Sequence, residues 1–196
     1  MNLETKDLQI VVTKTVAEKD AEEPQGVIEA IVSVFGNVDL SGERIVYGAF
    51  TASLARKLPK GVWAHNWERP IAKTLAAREL APGDPLLPER LKELGGLYVK
   101  ALFNLDTQDG RDAFSNIKNE LFDEYSIGYR VVGRRDAGEG VTELTEIELY
   151  EWSPVMVGCN PATATLSAKA APPPHSDAES YSLHLRGALA LAEIAV

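Results

Sequence analysis

Glu124-Tyr125-Ser126-Ile127-Gly128-Tyr129-Arg130-Val131 decides how the chain is interpreted, because its alternate residues form two unlike sets. The set that suits the buried face of a strand comprises Tyr125, Ile127, Tyr129 and Val131. The set on the opposite face comprises Glu124, Ser126, Gly128 and Arg130. A hydroxyl is thereby held on a rigid strand beside a glycine, as a nucleophile could be. The alternative is an ordinary solvent-facing strand serine.

The bulk composition limits the class of protein. A chain of 196 residues with 45% hydrophobic residues can bury one sizeable core. The formal net charge of −9 argues against nucleic acid or an anionic membrane as the main partner, because such contacts use Lys and Arg clusters. The single cysteine, Cys159, excludes an internal disulfide and a cysteine-rich zinc site. No apolar run reaches the roughly 18 residues of a membrane span, and no signal peptide begins the chain, so a soluble protein is expected.

Apolar runs separated by turn residues predict a β-rich α+β chain. The nearly continuous run from Val27 to Phe35 is typical of a strand covered on both faces, and we expect it to be central. A hairpin turn is predicted at 134–140, and Pro154 is expected to end the strand before it. Other strands are predicted at 8–16, 61–70 with a turn, 71–77, 97–105, 124–131, 141–152, 155–157 and 162–168.

Helical spacing appears twice in the middle of the chain. Phe50, Leu54 and Leu58 predict a helix that Pro59 closes. A second helix is expected to begin at a cap formed by Asp106 or Thr107 and to run to about residue 121. Its predicted inward stripe comprises Ala113, Phe114, Ile117 and Leu121. Residues 80–96 are predicted to form a long loop with a short helix at 89–94.

Composition divides the chain into three segments. Residues 1–24 are expected to be an N-terminal arm, residues 25–169 the ordered domain, and residues 170–196 a linker and tail. The linker assignment depends on Ala170-Ala171-Pro172-Pro173-Pro174, and 183–196 could form one short amphipathic helix. No repeat, nucleotide-binding glycine loop or metal motif is present, so we expect no cofactor.

A strand serine acts as a nucleophile only with a base and a group that orients the base. His65 is the candidate base, because His175 and His184 lie in or beyond the linker. The alternative is a buried histidine packed between Trp63 and Trp67.

Glu151 is the candidate orienting group. It ends an apolar strand, where an unpartnered charge would be unfavourable. Glu148 is the nearest competitor but falls on the other strand face. Cys159 with His65 is a rival nucleophile pair.

Six short motifs in order, covering about residues 27–168, resemble the prohead maturation proteases of tailed bacteriophages. The motifs are Val34-Phe35-Gly36-Asn37-Val38-Asp39, Gly48-Ala49-Phe50 with the lone His65, Gly96-Leu97-Tyr98-Val99, Tyr125-Ser126-Ile127-Gly128-Tyr129, Leu149-Tyr150-Glu151-Trp152-Ser153-Pro154-Val155, and Asn160-Pro161-Ala162. The resemblance implies a serine protease in the host cytoplasm, inside the immature capsid. Its implied substrates are the scaffold, the scaffolding segment of the major capsid protein, and often the protease itself. The implied fold is similar to the herpesvirus assembly proteases, a bent, antiparallel or mixed β-barrel of about seven strands flanked by helices.

The resemblance also implies roles for individual residues. It puts the nucleophile on Ser126 and the base on His65. Herpesvirus relatives use a second histidine in the third place; this chain has none in its core, so Glu151 is expected there. Backbone N–H groups at Cys159 and Asn160 are the expected oxyanion hole, with no metal or organic cofactor. The proline-rich loop at 80–95 departs from the family pattern, so the resemblance does not define the substrate groove.

Two further expectations concern assembly. The herpesvirus relatives need association, so a homo-oligomer is an expectation here. The tail is a candidate targeting or scaffold-binding segment, removed by self-cleavage near Ala168 or Ala170. The alternative to an enzyme is a non-enzymatic phage structural or assembly β-domain that kept the fold.

Overall fold

The computed structural model describes residues 25–169, which form eight strands, two α-helices and one short 3₁₀ helix. The strands are β1 (Val27–Val34), β2 (Glu43–Ile45), β3 (Lys60–Trp63), β4 (Asn66–Leu80), β5 (Gly96–Phe103), β6 (Glu124–Asp136), β7 (Thr142–Val155) and β8 (Ala164–Lys169). The helices are α1 (Thr51–Arg56), α2 (Gln108–Lys118) and the 3₁₀ turn Glu89–Leu91. The prediction of a β-rich α+β fold is confirmed.

All eight strands belong to one mixed sheet with the order β2-β7-β3-β4-β5-β1-β8, and β6 also pairs with β7. β7 runs parallel to β2 and β3 and antiparallel to β6. The two ends of this order, β2 and β8, do not pair with each other, so the sheet is open and a closed barrel is not confirmed.

The core lies around β1 and the centre of β7. β1 is buried between β5 and β8, as the run from Val27 to Phe35 predicts. On β7, the fully buried Trp152 packs against Phe103 and Tyr125, and its indole N–H donates to Thr74 Oγ1 at 2.9 Å. These contacts fix the centre of β7 against β4, β5 and β6, because close-packed interiors resist displacement of a large ring.

Strand β7 continues through the proline that was expected to end it. Pro154 pairs with Tyr125 of β6, and β7 ends at Val155, so residues 155–157 are not a separate strand. The Tyr125 N–H donates to Thr163 Oγ1 at 2.9 Å, away from Pro154. A proline is tolerated where its missing N–H leaves no ladder bond unmade.

The second helix ends earlier than predicted. α2 has the expected cap, since Thr107 Oγ1 accepts from Gly110 N, but its last residue is Lys118. Glu120 has φ +57°, a left-handed conformation that cannot continue a helix. Leu121, predicted on the inward stripe, is 60% exposed, and Phe122 is buried instead. The stripe of Ala113, Phe114 and Ile117 is buried as predicted.

The bounds of several other strands and helices also differ from the predicted ones. The segments predicted at 61–70 and 71–77 form β3 and the single long β4, which absorbs a register shift between Thr74 and Ala76. α1 ends at Arg56, before Leu58. In the loop after β4 the helical turn is Glu89–Leu91, and buried Leu87 and Leu91 anchor the loop on a small second core.

Strand β6, which carries Ser126, is only partly buried. Tyr125 is fully buried, whereas Ile127, Tyr129 and Val131 pack against the core and stay half-exposed. A register shift in the pairing with β7 follows Gly128. The strand predicted at 8–16 and the linker and helix predicted after residue 169 lie outside the described residues. In the described part, no helix is both long and apolar enough to span a membrane.

Candidate active site

His65 lies in the two-residue turn that joins β3 to β4. Trp63 pairs with Asn66, so Ala64 and His65 form the tip, with φ +44° and +63°. Two-residue hairpins favour positive φ at both tip residues, because that backbone twist matches the flanking strands. The turn aims the His65 side chain, 45% exposed, towards β7.

The hairpin that carries His65 is fastened to helix α2. The guanidinium of Arg69 stacks 4.5 Å above the Trp63 ring. Its Nε and terminal nitrogen donate to the two carboxylate oxygens of Asp109 at 2.9 and 2.5 Å. The hydrogen bond from Arg69 holds the pKa of Asp109 below its ordinary value. The hairpin is therefore anchored to α2 as well as to β7.

The Glu151 carboxylate is buried beside His65. The residue is only 2% exposed, and its Oε1 lies 2.6 Å from His65 Nδ1. A carboxylate only accepts hydrogen bonds, so Nδ1–H is the donor and Nε2 keeps its lone pair. The sheet brings these two residues together because β3 runs beside β7, with Lys60 level with Glu151.

Ser153, for which the sequence predicted no role, is hydrogen-bonded to both Glu151 and His65. Its hydroxyl, fully buried, donates to Glu151 Oε2 at 2.7 Å and accepts from the main-chain N–H of His65 at 2.9 Å. The signal for it was available in the strand alternation, since Ser153 is two residues from Glu151 and shares its face.

Gly128 leaves room for the Glu151 carboxylate. The two residues are paired across β6 and β7, and a Cβ on Gly128 would overlap Glu151 Oε1 and lie 2.9 Å from its Cδ. The glycine is thus required by close packing, since its backbone conformation is ordinary for a strand. No larger residue fits without moving the carboxylate from His65.

Ser126 lies on the same face of β6 as Gly128, two residues closer to the start of the strand. It is opposite Ser153 in an uninterrupted register, so their Cβ atoms are about 5 Å apart by strand geometry. Ser126 is partly buried, and its hydroxyl makes no hydrogen bond within residues 25–169. In particular, no hydrogen bond joins Ser126 to His65.

The turn 158–160 lies against β6. The Gly158 N–H donates to Glu124 Oε2 at 2.6 Å, and the side chains of Asn160 and Asn37 bond each other at 3.0 and 3.1 Å. The main-chain N–H groups of Cys159 and Asn160 have no acceptor among the described residues. Cys159, Asn160 and Ser126 together line a small cavity of about 100 Å³.

The rival residues are placed elsewhere. Cys159 Sγ lies 3.4 Å from Ser41 Oγ and is not bonded to His65. Glu148 accepts from Arg130 at 2.6 and 3.0 Å, which holds its pKa below the ordinary value. His65 is not a buried histidine, because its side chain is 45% exposed, and Trp63 packs on Phe122 and Trp67 on Tyr150. Within residues 25–169, no three potential ligands are clustered as a metal site.

Comparison with known protein families gives a match over most of the chain. The family model described as Caudovirus prohead serine protease matches residues 13–173. The chain belongs to this family. The match includes every residue of the arrangement described above, and it confirms the resemblance on which the sequence analysis depends. The family is one of serine proteases that act in phage capsid maturation. No curated protein and no solved structure matches the chain.

Proposed function

We propose that this chain is a serine endopeptidase of prohead maturation in which Ser126 is the nucleophile, His65 the general base and Glu151 the orienting carboxylate. The observation that carries the proposal is the 2.6 Å contact between His65 Nδ1 and the buried Glu151 Oε1, on the sheet face that holds Ser126. A serine near a histidine is common on surfaces. A histidine oriented by a buried carboxylate beside that serine is the arrangement that activates a hydroxyl.

The chemistry follows from the tautomer. Nδ1–H donates to Glu151, so Nε2 takes the proton of the Ser126 hydroxyl as its oxygen attacks the peptide carbonyl. The imidazolium then returns that proton to the leaving amine, and the C–N bond breaks to leave an acyl-enzyme. In the second half, Nε2 accepts a proton from water as the water oxygen attacks the ester carbonyl. The ester C–O bond then breaks, the imidazolium returns the proton to the Ser126 oxygen, and the carboxylic acid product leaves. Glu151 stabilises the imidazolium in both halves.

Ser153 acts in this mechanism as a positioning residue. One hydroxyl fixes Glu151 Oε2 and the backbone of His65 at once. The carboxylate and the imidazole are therefore held in one geometry by a group that never touches the substrate. Such support matters, because small misplacements of catalytic groups reduce the rate steeply.

The oxyanion hole is proposed at the N–H groups of Cys159 and Asn160. Both are unused within the described residues, and both residues line the cavity that Ser126 also lines. An oxyanion hole needs donors that are oriented in advance towards the position where negative charge develops. The Gly158–Glu124 hydrogen bond supports the proposal because it holds the turn against β6.

The proposed substrates are the scaffold and the scaffolding segment of the major capsid protein, inside the prohead, with the chain itself as a further substrate. We also propose the division into an arm at 1–24, a protease domain at 25–169 and a removable tail at 170–196. Ala168 lies in β8, paired with Ile28, so cleavage there requires β8 to separate from β1. Ala170 lies outside the described residues. A homo-oligomer is retained as part of the proposal.

The deciding experiment compares the Ser126→Ala variant with the wild-type chain. Each is expressed at full length together with the major capsid protein of the same phage. We expect processing to stop while the circular dichroism spectrum stays unchanged. Ser115→Ala, which removes an exposed serine of α2, is the control and should process normally. A fluorophosphonate probe should label the wild type at Ser126 and leave Ser126→Ala unlabelled. Continued processing by Ser126→Ala would end the proposal.

A second candidate is a non-enzymatic assembly domain. One observation favours it, namely that no hydrogen bond joins Ser126 to His65 in this conformation. Catalytic hydrogen bonds often tighten only when substrate binds, so this observation does not outweigh the His65–Glu151 pair. Absence of fluorophosphonate labelling, together with processing by a separate protease, would decide for the second candidate.

A further inference from the structure

A cavity of about 500 Å³ opens on the Glu151 side of the site, and the proposed mechanism does not use it. It lies among α1, β3, β4 and β7. Its apolar and aromatic walls are Val62, Pro70, Leu149, Trp67 and Tyr150. Its rim carries three cations, Arg56, Lys57 and Lys60. Mostly apolar walls with a few polar groups at fixed places are typical of ligand sites.

The charge left free in this cavity is positive. Both carboxylates that line it are engaged, Glu151 by His65 and Ser153 and Glu148 by Arg130 and the Tyr150 hydroxyl. Arg56 lies 4.0 Å from Glu148. Lys57 and Lys60 are exposed, and neither has a carboxylate partner within residues 25–169. This is notable on a chain whose formal net charge is −9.

The cavity also presents an aromatic surface. Trp67 is 63% exposed, and its ring meets that of Tyr150 edge to face at 5.8 Å. A large exposed ring, held by a second ring beside a cavity, buries much area at little entropic cost when a peptide side chain packs on it. Tryptophan and tyrosine dominate binding hot spots for this reason.

The cavity is within reach of a peptide that is bound at Ser126. Leu149 in its wall and Ser153 opposite Ser126 are four residues apart on β7, about 13 Å at the rise of a strand. An extended peptide has nearly the same rise. A peptide that runs alongside β7 from Ser126 towards Leu149 would therefore place a side chain three or four residues from the scissile bond at the cavity.

We infer that this cavity is a substrate subsite for an acidic peptide segment, in which an apolar side chain enters the cavity and neighbouring Asp or Glu side chains pair with Lys57 and Lys60. The inference rests on the proposed function, because it names the substrate chemistry of the same site. The apolar walls exclude a purely ionic ligand, and the free lysines select against a basic peptide.

Binding is measured with the full chain carrying Ser126→Ala, so that no hydrolysis is needed. The probes are a fluorescein-labelled octapeptide of alternating Leu and Glu and its counterpart of alternating Leu and Gln. We expect fluorescence anisotropy to show about 5- to 10-fold tighter binding of the Leu–Glu peptide, since two exposed ion pairs contribute modestly each. High salt should reduce this preference. A chain with a formal net charge of −9 repels an acidic peptide on average, so a preference for the Leu–Glu peptide indicates a local positive site.

The double variant Lys57→Gln with Lys60→Gln should bind both peptides equally. Lys118→Gln, at the exposed end of α2, removes a similar charge away from the cavity and should keep the preference. Equal binding of both peptides by the parent, no binding of either, or a preference that survives in the double variant would overturn the inference. Fluorophosphonate labelling of Ser126 tests the proposed function separately, so the two can fail independently.

Discussion

The imidazole Nδ1 of His65 and the carboxylate Oε1 of Glu151 lie 2.6 Å apart, although 86 residues separate them in sequence. The histidine side chain is 45% exposed, whereas that of the glutamate is 3% exposed. One partner is therefore open to a substrate while the other is enclosed by protein. A general base must be accessible to the substrate, whereas a carboxylate that must keep one orientation has to be enclosed by protein.

Replacing Glu151 by Gln tests the orienting role. The amide is close in shape but carries no charge to stabilise an imidazolium. We expect kcat for a processed peptide to fall by about 100- to 10,000-fold. Glu146→Gln removes an exposed carboxylate from the same strand and should leave kcat unchanged. A Glu151→Gln enzyme with wild-type kcat would show that the carboxylate has no part in catalysis.

Gly128→Ala should displace the carboxylate without touching any reacting group, because the new methyl overlaps Glu151 Oε1. We expect kcat to fall by at least about 10-fold, while KM changes little, since a misplacement of about 1 Å costs rate. Adding Glu151→Asp shortens the side chain by one methylene and should recover part of the loss. If Gly128→Ala retains full activity, or if the second substitution only adds to the damage, the packing argument is wrong.

Ser153→Ala should affect both stability and rate. The methyl side chain leaves Glu151 Oε2 and the His65 N–H without their buried partner, which costs about 1–3 kcal/mol of unfolding free energy. The positioning role further predicts a lower kcat for the folded fraction at unchanged KM. Ser167→Ala is the control for serine loss on a strand. A lower melting temperature with unchanged kcat would reduce Ser153 to a purely structural residue.

Alkaline stability should depend on Tyr125. Burial raises the pKa of its phenol to about 12, although the Thr165 hydroxyl at 2.7 Å acts in the opposite direction. The unfolded chain loses this proton near pH 10, before the folded chain does, so the stabilisation is present below pH 10 and is lost as pH rises through about 12.

Urea titrations between pH 9 and 11.5 measure this loss as the dependence of unfolding free energy on pH. Each such phenol contributes a slope of up to about 1.4 kcal/mol per pH unit in that window. Tyr125→Phe should reduce the slope without abolishing it, because the pKa of Tyr98 is also raised to about 12. Identical slopes for the two proteins would contradict the prediction.

Strand alternation predicted much of the site. It placed Ser126 and Gly128 on one face of β6. In the register with β7, these two residues lie opposite Ser153 and Glu151. It could equally have selected Ser153 from its spacing to Glu151. The contact between His65 and Glu151 could not be predicted by any local pattern, because it depends on β3 pairing with β7 in parallel.

The differences between the predicted and the observed fold have identifiable physical causes. Leu121 continues the apolar stripe of α2, but the left-handed Glu120 ends the helix first and Phe122 takes the buried place. Pro154 is usually a strand terminator, yet it stands where no ladder bond is needed. In both cases tertiary contacts override a pattern that was correct as a statistical tendency.

The parallel pairing of β3 with β7 also affects the timing of synthesis and folding. A ribosome that has released the chain only as far as the β3–β4 hairpin has made the histidine but not the strand that orients it. Contacts across such a sequence separation form late, since the intervening loop must be closed first. Under the proposed function, a nascent or half-folded copy of this chain lacks the oriented base and is therefore inactive until β7 has joined the sheet.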